Sequence, residues 1–244
     1  MTRPDAALAP GAAASIDGSG SSTHWLALAR PALAEFVGTG LLLIAVVGSG
    51  IAAQRLSPGD AGLQLLENST ATATALVAIL LALGPISGAH LNPVVTLADR
   101  LFGGLSWSAA VTYWAAQVLG GVSGTVVANL MFALPAVEVS TKVRSGGSLW
   151  LGEVVATFGL LVVILGVMRS GRTTTVPFAV AAYIAGAYWF TSSTSFANPA
   201  VTVGRTLSDT LAGISPSSAP AFIAAQLLGA ALAIATVRAL RAAS

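Results

Sequence analysis

Two short runs hold the residues best suited to act on a small polar molecule: Leu91-Asn92-Pro93-Val94-Val95-Thr96 and Ala197-Asn198-Pro199-Ala200-Val201-Thr202. Asn followed by Pro is a helix start, with Asn at the N-cap and Pro at the first helical position, where its missing N–H costs nothing. One such pair is ordinarily a cap or a turn. Two matching copies suggest more, because each Asn carries two amide N–H donors and each helix adds positive partial charge at its N-terminus. Aimed at one point, they would offer donors to a passing solute and oppose cations. A water held there gives its oxygen to both Asn side chains, which interrupts a proton wire. Asn92, Pro93, Val94, Asn198, Pro199 and Ala200 are therefore the candidate pore motifs.

The surrounding chain must place these motifs inside a membrane. Of the 244 residues, 55% are hydrophobic and only 8% charged, whereas a soluble domain approaches a quarter charged. Residues 68–98, 101–137, 173–204 and 210–237 contain no Asp, Glu, Lys or Arg, and each run exceeds the roughly 20 residues needed to cross a bilayer. Six spans are expected, at about 31–54, 64–84, 107–134, 149–168, 174–191 and 217–238. Their hydrophobicity is continuous rather than alternating, which excludes a β-barrel. Residues 1–24 are rich in Ala, Gly, Ser and Pro and read as a disordered tail, leaving 25–244 as one transmembrane domain. Trp25, Trp107 and Trp150 fall near span ends and read as interfacial anchors.

The two Asn-Pro segments, of about ten residues each, are too short to span. Each gives a helix of about 15 Å, half the hydrocarbon thickness. Gly84-Pro85-Ile86-Ser87-Gly88 and Thr191-Ser192-Ser193-Thr194-Ser195 precede them and read as extended backbone, which membrane depth tolerates only where it lines a cavity or is buried in protein. Two re-entrant half-helices follow.

The rest of the pattern also recurs. Glu35 and Glu153 open the first and fourth spans, and Ala116-Gln117 in the third recurs as Ala225-Gln226 in the sixth. A repeat of three spans (about 31–134 and 149–240) is odd, so the halves are inverted and a pathway is expected at their interface. Gln117 and Gln226 read as helix-to-loop hydrogen-bond partners, since lipid exposure would be costly. His90 reads as a residue that fixes loop geometry rather than as a pH gate. With a cytoplasmic N-terminus, the inside segments carry seven basic residues and the outside segments four (Arg55, Lys142, Arg144 and Arg205), which places both termini in the cytoplasm.

Other classes fit poorly. Zero cysteines exclude disulfides and thiolate chemistry, and a net charge of +2 with no basic run gives nothing for nucleic acid. There is no His-Glu-x-x-His zinc motif and no phosphate loop ending in Gly-Lys-Ser/Thr. Neither an enzyme, a metal site nor a cofactor is expected. A proton-coupled transporter using Glu35 and Glu153 remains as an alternative.

From Ser87-Gly88-Ala89-His90-Leu91-Asn92-Pro93-Val94-Val95-Thr96, Asn198-Pro199-Ala200, the paired Glu and the paired Ala-Gln, the chain resembles the major intrinsic proteins, the aquaporins and aquaglyceroporins. The resemblance implies an all-α, six-helix bundle with two half-helices, a pore in each subunit, a homotetramer in the cell membrane, and Glu35 and Glu153 bracing the re-entrant loops. Counted from the motifs, the family's selectivity positions fall on Thr72, Gly186, Ser195 and Val201. Family water channels hold an aromatic, a His, a small residue and an Arg there, and glycerol channels also keep the Arg. The chain is similar to a bacterial subgroup with Val in that place, associated with arsenical transport. The expectation is a passive channel, wider than a water pore, for small uncharged solutes such as glycerol, urea and metalloid acids as well as water. A plain water channel is the further alternative.

Overall fold

In the computed structural model, residues 20–242 are described, with side chains described over 28–240. The rest of the expected tail and the side chain of Trp25 lie outside the described residues. The order is α1 (Gly20–Leu56), α2 (Ala61–Ser87), α3 (Pro93–Leu101), α4 (Trp107–Met131), α5 (Gly147–Arg169), α6 (Val176–Phe190), α7 (Pro199–Gly204) and α8 (Ala219–Ala242), with short 3-10 turns at Thr173–Thr175 and Arg205–Leu207. All described elements are helical. Six helices match the expected spans, and α3 and α7 are the half-helices. α1 begins at Gly20, inside the segment expected as tail.

Four helices, α1, α2, α5 and α8, are long and apolar enough to cross a membrane by length and composition alone. α4 has the length, but Gly, Ser, Thr, Gln117 and Asn129 dilute its apolar character. α6 has 15 residues and is extended by the preceding 3-10 turn. The start of α1 and the end of α8 lie on one face of the bundle, the terminal face. The loops at 57–60, 132–146 and 205–218 lie on the opposite face.

The inversion is visible in the packing: α1 lies on α4, α5 lies on α8, and α2 crosses α6 between these pairs. Glycine allows the close approaches. A Cβ at Gly120 or Gly124 of α4 would overlap the carbonyl oxygen of Phe36 or Gly40 of α1, and one at Gly229 of α8 would meet that of Val154 of α5. Leu43, Val47, Leu160 and Ala156 fill the centre between the halves. Trp107 and Trp150 are exposed in the first turns of α4 and α5, as interfacial anchors require.

The segment before the first half-helix also departs from expectation. Gly84 to Ser87 is helical, so α2 runs through Pro85 and ends at Gly88, which takes φ +83°. The neighbours explain the extra turn. Tyr113 of α4 donates its hydroxyl to the Ser87 carbonyl at 3.0 Å, and the Ser87 hydroxyl donates to Glu35 at 2.6 Å. Packed partners of this kind make Pro tolerable inside membrane helices.

Candidate functional site: a cavity between the inverted halves

The two re-entrant loops are built alike. Before each half-helix the backbone alternates through positive φ, at Ala89 (44°) and Leu91 (51°) in the first and at Ser195 (52°) and Ala197 (48°) in the second. Non-glycine residues rarely adopt this conformation, and it persists only where the surroundings over-determine it. Here buried carboxylates do so. Glu35 accepts from the backbone N–H of His90 at 2.9 Å and of Leu91 at 2.7 Å, and from Gln117 at 2.7 Å. Glu153 accepts from Phe196 at 2.8 Å, Ala197 at 2.9 Å and Gln226 at 2.7 Å. Each Gln also donates to the Thr one turn into its half-helix, Gln117 to Thr96 and Gln226 to Thr202, both at 2.9 Å. All four acidic and amide side chains are fully buried.

The Asn-Pro pairs meet at the bundle centre. Asn92 Oδ1 caps Val94 N–H at 3.0 Å, and Asn198 Oδ1 caps Ala200 at 3.0 Å and Val201 at 3.2 Å. Their Nδ2 groups then cross over, Asn92 to the Ala197 carbonyl at 2.8 Å and Asn198 to the Leu91 carbonyl at 2.7 Å. One amide N–H of each Asn is thereby used, leaving the second for a solute. Pro93 and Pro199 take the first helical positions, and Val94 and Ala200 are fully buried behind them. His90 holds Thr96 at 3.1 Å and lies edge-on to Tyr113 with ring centroids 5.5 Å apart.

A cavity of about 1110 Å³ runs between the halves, from Thr173 on the terminal face, past Asn92 and Asn198, to Tyr188 and Arg205 toward the opposite face. One wall is loop backbone, 88–92 and 195–198; the other is apolar, with Leu76, Leu80, Leu160 and Ile184. Among the described residues no cluster of three His, Cys, Asp or Glu could hold a metal ion.

Thr72, Ser195 and Val201 line this cavity together, whereas Gly186 does not. A Cβ at Gly186 would instead meet the Phe190 ring at 3.5 Å. The face of α6 that lines the cavity carries Val180, Ile184 and Tyr188. Between this face and Asn198, α6 stops at Phe190 and a non-helical turn intervenes. Tyr188, missed in the sequence, reaches across and donates to the Thr72 hydroxyl at 3.3 Å.

The loop at 132–146 folds over the opposite face and brings in further cations. Its backbone pairs with the end of the second half-helix, Glu138 to Leu207 at 3.1 Å and Ser140 to Thr206 at 2.9 Å. Arg144 donates to the carbonyls of Gly213 at 2.8 Å and Leu211 at 3.1 Å. Lys142 also donates to Leu211, at 2.9 Å. Burial, and then the neighbouring guanidiniums of Arg144 and Arg205, pull the Lys142 ammonium down from 10.5 to about 8, with Asp209 opposing.

Lys142 is the only lysine in the chain, so its titration can be read by chemistry. Reductive methylation followed by peptide mass spectrometry is expected to show half-maximal reactivity of this amine near pH 8. The unfolded chain keeps the proton up to about 10.5, so the lysine contributes stability that rises with pH between about 8 and 10.5. A reactivity midpoint above 10 would show that the loop does not crowd it.

The major intrinsic protein family model matches residues 22–192. The chain is 50% identical over 211 residues to the aquaglyceroporin AqpS of Rhizobium meliloti strain 1021, covering 86% of this chain and 90% of that protein. It is 38% identical to a probable aquaporin of Arabidopsis thaliana over 129 residues, 52% of this chain and 46% of the relative. The X-ray structure of the aquaglyceroporin from Plasmodium falciparum superposes with a TM-score of 0.66 at 20% identity, covering 85% of this chain and 94% of that one, which establishes the shared fold. Members of this family are membrane channels rather than enzymes. The inverted Asn-Pro loops, the matched model and a half-identical relative of nearly equal length lead to one conclusion: the chain belongs to the major intrinsic protein family.

Proposed function

We propose that the protein is a passive channel of the cell membrane, a homotetramer with both termini cytoplasmic, that conducts small, mainly uncharged polar solutes together with water. The observation that carries this reading is the amphipathic cavity, with loop backbone and two Asn amides on one side and Leu and Ile on the other. A polyol or a metalloid acid can place its oxygens on the polar side while its apolar side meets hydrocarbon. The 50% identical relative is itself named an aquaglyceroporin, which supports the same solute class. Thr72, Tyr188, Ser195 and Val201 form the constriction in this reading, and Val201 leaves their ring without a fixed cation. Glycerol, urea and arsenous or boric acid are the candidate solutes.

Proton-coupled transport is less well supported. Glu35 and Glu153 are held by two backbone N–H groups and a Gln apiece, and releasing either one would unpair buried loop backbone.

Stopped-flow light scattering of proteoliposomes tests the proposal. Under glycerol, urea and arsenous acid gradients, reswelling should exceed that of empty vesicles by about tenfold or more, the effect of lowering a barrier by roughly 1.4 kcal/mol, and should not depend on a pH gradient. Water flow without solute entry would refute the solute class. Val201→Arg should suppress the larger solutes about tenfold and spare water. Unchanged uptake of both in a folded variant would remove Val201 from the filter. Labelling of Lys142 by a membrane-impermeant amine reagent on intact cells tests the orientation, because only an outward-facing loop at 132–146 would react.

A further inference from the structure

Val201 brings no charge to the cavity, yet a cation stands one turn further along the same wall. Arg205 follows Val201 by four residues, about 6 Å at the helical rise, and both line the cavity. Arg205 is only 2% exposed. Its guanidinium carbon lies 3.4 Å from the centroid of the Phe196 ring, and its Nε donates to the Ala212 carbonyl. Among the described residues, that bond is the only protein hydrogen bond of this guanidinium, and no carboxylate forms an ion pair with it.

A buried guanidinium without a carboxylate is costly, and an aromatic face recovers only part of that cost. The terminal nitrogens, with four of the five N–H donors of an arginine, therefore remain for whatever occupies the cavity. A second polar group close by is also unpartnered: the hydroxyl of Ser195, a residue that lines the cavity, is buried without a hydrogen-bond partner. Arg144 lies 5.1 Å from the same Phe196 ring, so the positive field is reinforced from the loop above.

We propose that Arg205 is the charge-selecting and solute-orienting residue of this pore, supplying from one turn beyond Val201 the guanidinium that Val201 lacks. The inference rests on the channel reading. Its chemistry is simple: the fixed positive charge repels cations, and the fork of N–H donors binds the oxygens of hydroxylated or oxyacid solutes. Displacing the charge by one turn separates it from the constriction. Charge selection and pore width then reside in different residues, and the ring of Thr72, Tyr188, Ser195 and Val201 can admit solutes larger than water without losing the barrier to cations.

Two measurements test the assignment. In proteoliposomes carrying a potassium gradient, wild type should hold a potential-sensitive dye signal, and Arg205→Gln should raise the potassium leak about tenfold, as expected for losing one nearby charge in a low-dielectric pore. Arg205→Lys should keep the leak low, because charge rather than packing carries the exclusion. A folded Arg205→Gln protein, eluting like wild type, with an unchanged leak and unchanged solute preference would overturn the proposal.

The second measurement needs no Arg205 variant and no flux. The chain has no cysteine, so Val201→Cys introduces the sole thiol, one turn from the guanidinium. Its rate with neutral methyl methanethiosulfonate should reach half-maximum below the ordinary thiol value of about 8.5, although burial alone would raise it. A midpoint at or above that value would overturn the proposal whatever the vesicles do. Absent solute swelling in wild type would count against the channel reading alone.

Discussion

Glu153→Ala is expected to remove the folded channel, and Glu35→Ala to do the same. Each carboxylate takes two backbone N–H groups from a loop held in positive-φ conformations. Deleting Glu153 orphans the N–H groups of Phe196 and Ala197 and one amide N–H of Gln226, which keeps its bond to Thr202. Each buried unsatisfied donor costs about 1–3 kcal/mol, so three cost roughly 3–9 kcal/mol, comparable with a typical total stability of about 5–15 kcal/mol. Glu35 has one further donor, the Ser87 hydroxyl, and its loss should be at least as severe. Glu153→Gln should be intermediate, because an amide keeps one acceptor oxygen but turns an NH₂ toward donors. Yield of monodisperse protein, thermal unfolding in detergent and vesicle flux measure the effect. A Glu153→Ala protein that melts like wild type would show that the carboxylate is not what holds the second loop.

The same network explains which features could be read from the sequence. Asn92, Asn198, Glu35, Glu153, Gln117 and Gln226 occur as duplicated residue types in matching order, and a duplication of rare polar residues in apolar segments is visible without coordinates. Their partners lie within a short loop of a motif that itself announces a helix start. The fold follows from the odd number of spans per repeat. The details were less accessible where they depend on how a helix ends. Helix α2 continues through Pro85 because Tyr113 and Glu35, from other helices, secure its last turn. The lining face of α6 depends on how the turn after Phe190 consumes residues before Asn198, and counting along the chain assumes a constant rate. Arg205 escaped notice as a cavity-lining residue, and Arg144 as its neighbour, because their placement depends on a loop, 132–146, folding back over the second half-helix and on both guanidiniums sharing Phe196.

The halves also differ in ways that bear on direction. Loop contacts crowd the opposite face, where Lys142, Arg144 and Arg205 gather with Glu138 of loop 132–146 and with the carboxylate of Asp209. That carboxylate is held below its ordinary range chiefly by the Thr141 backbone N–H. The terminal-face entrance instead has Asp99 and Arg169 at the cavity edge. In the proposed arrangement a cation entering from the loop side meets the Arg205 guanidinium in the cavity wall before it reaches the Asn pair.

Tyr188→Ala is expected to produce the largest change in solute selectivity. Tyr188 is 4% exposed, lines the cavity together with Thr72, Ser195 and Val201, and donates its hydroxyl to Thr72. Removing the ring opens the narrow zone by most of a side chain, so glycerol and urea permeability should rise about tenfold or more, a barrier change of roughly 1.4 kcal/mol, while water, already small enough, changes little. Tyr188→Phe separates the ring from its hydroxyl: it keeps the bulk and loses one hydrogen bond, worth about 1 kcal/mol, so solute size selection should persist. Gly186→Ala discriminates between the two registers of α6. A methyl there meets Phe190 rather than the cavity, so flux should stay near wild type, whereas a Gly186 that truly faced the pore would narrow it and slow glycerol. Swelling rates for water, urea and glycerol across these three variants decide the register, and a Tyr188→Ala protein with wild-type rates beside a slowed Gly186→Ala protein would return the constriction to the position found by counting.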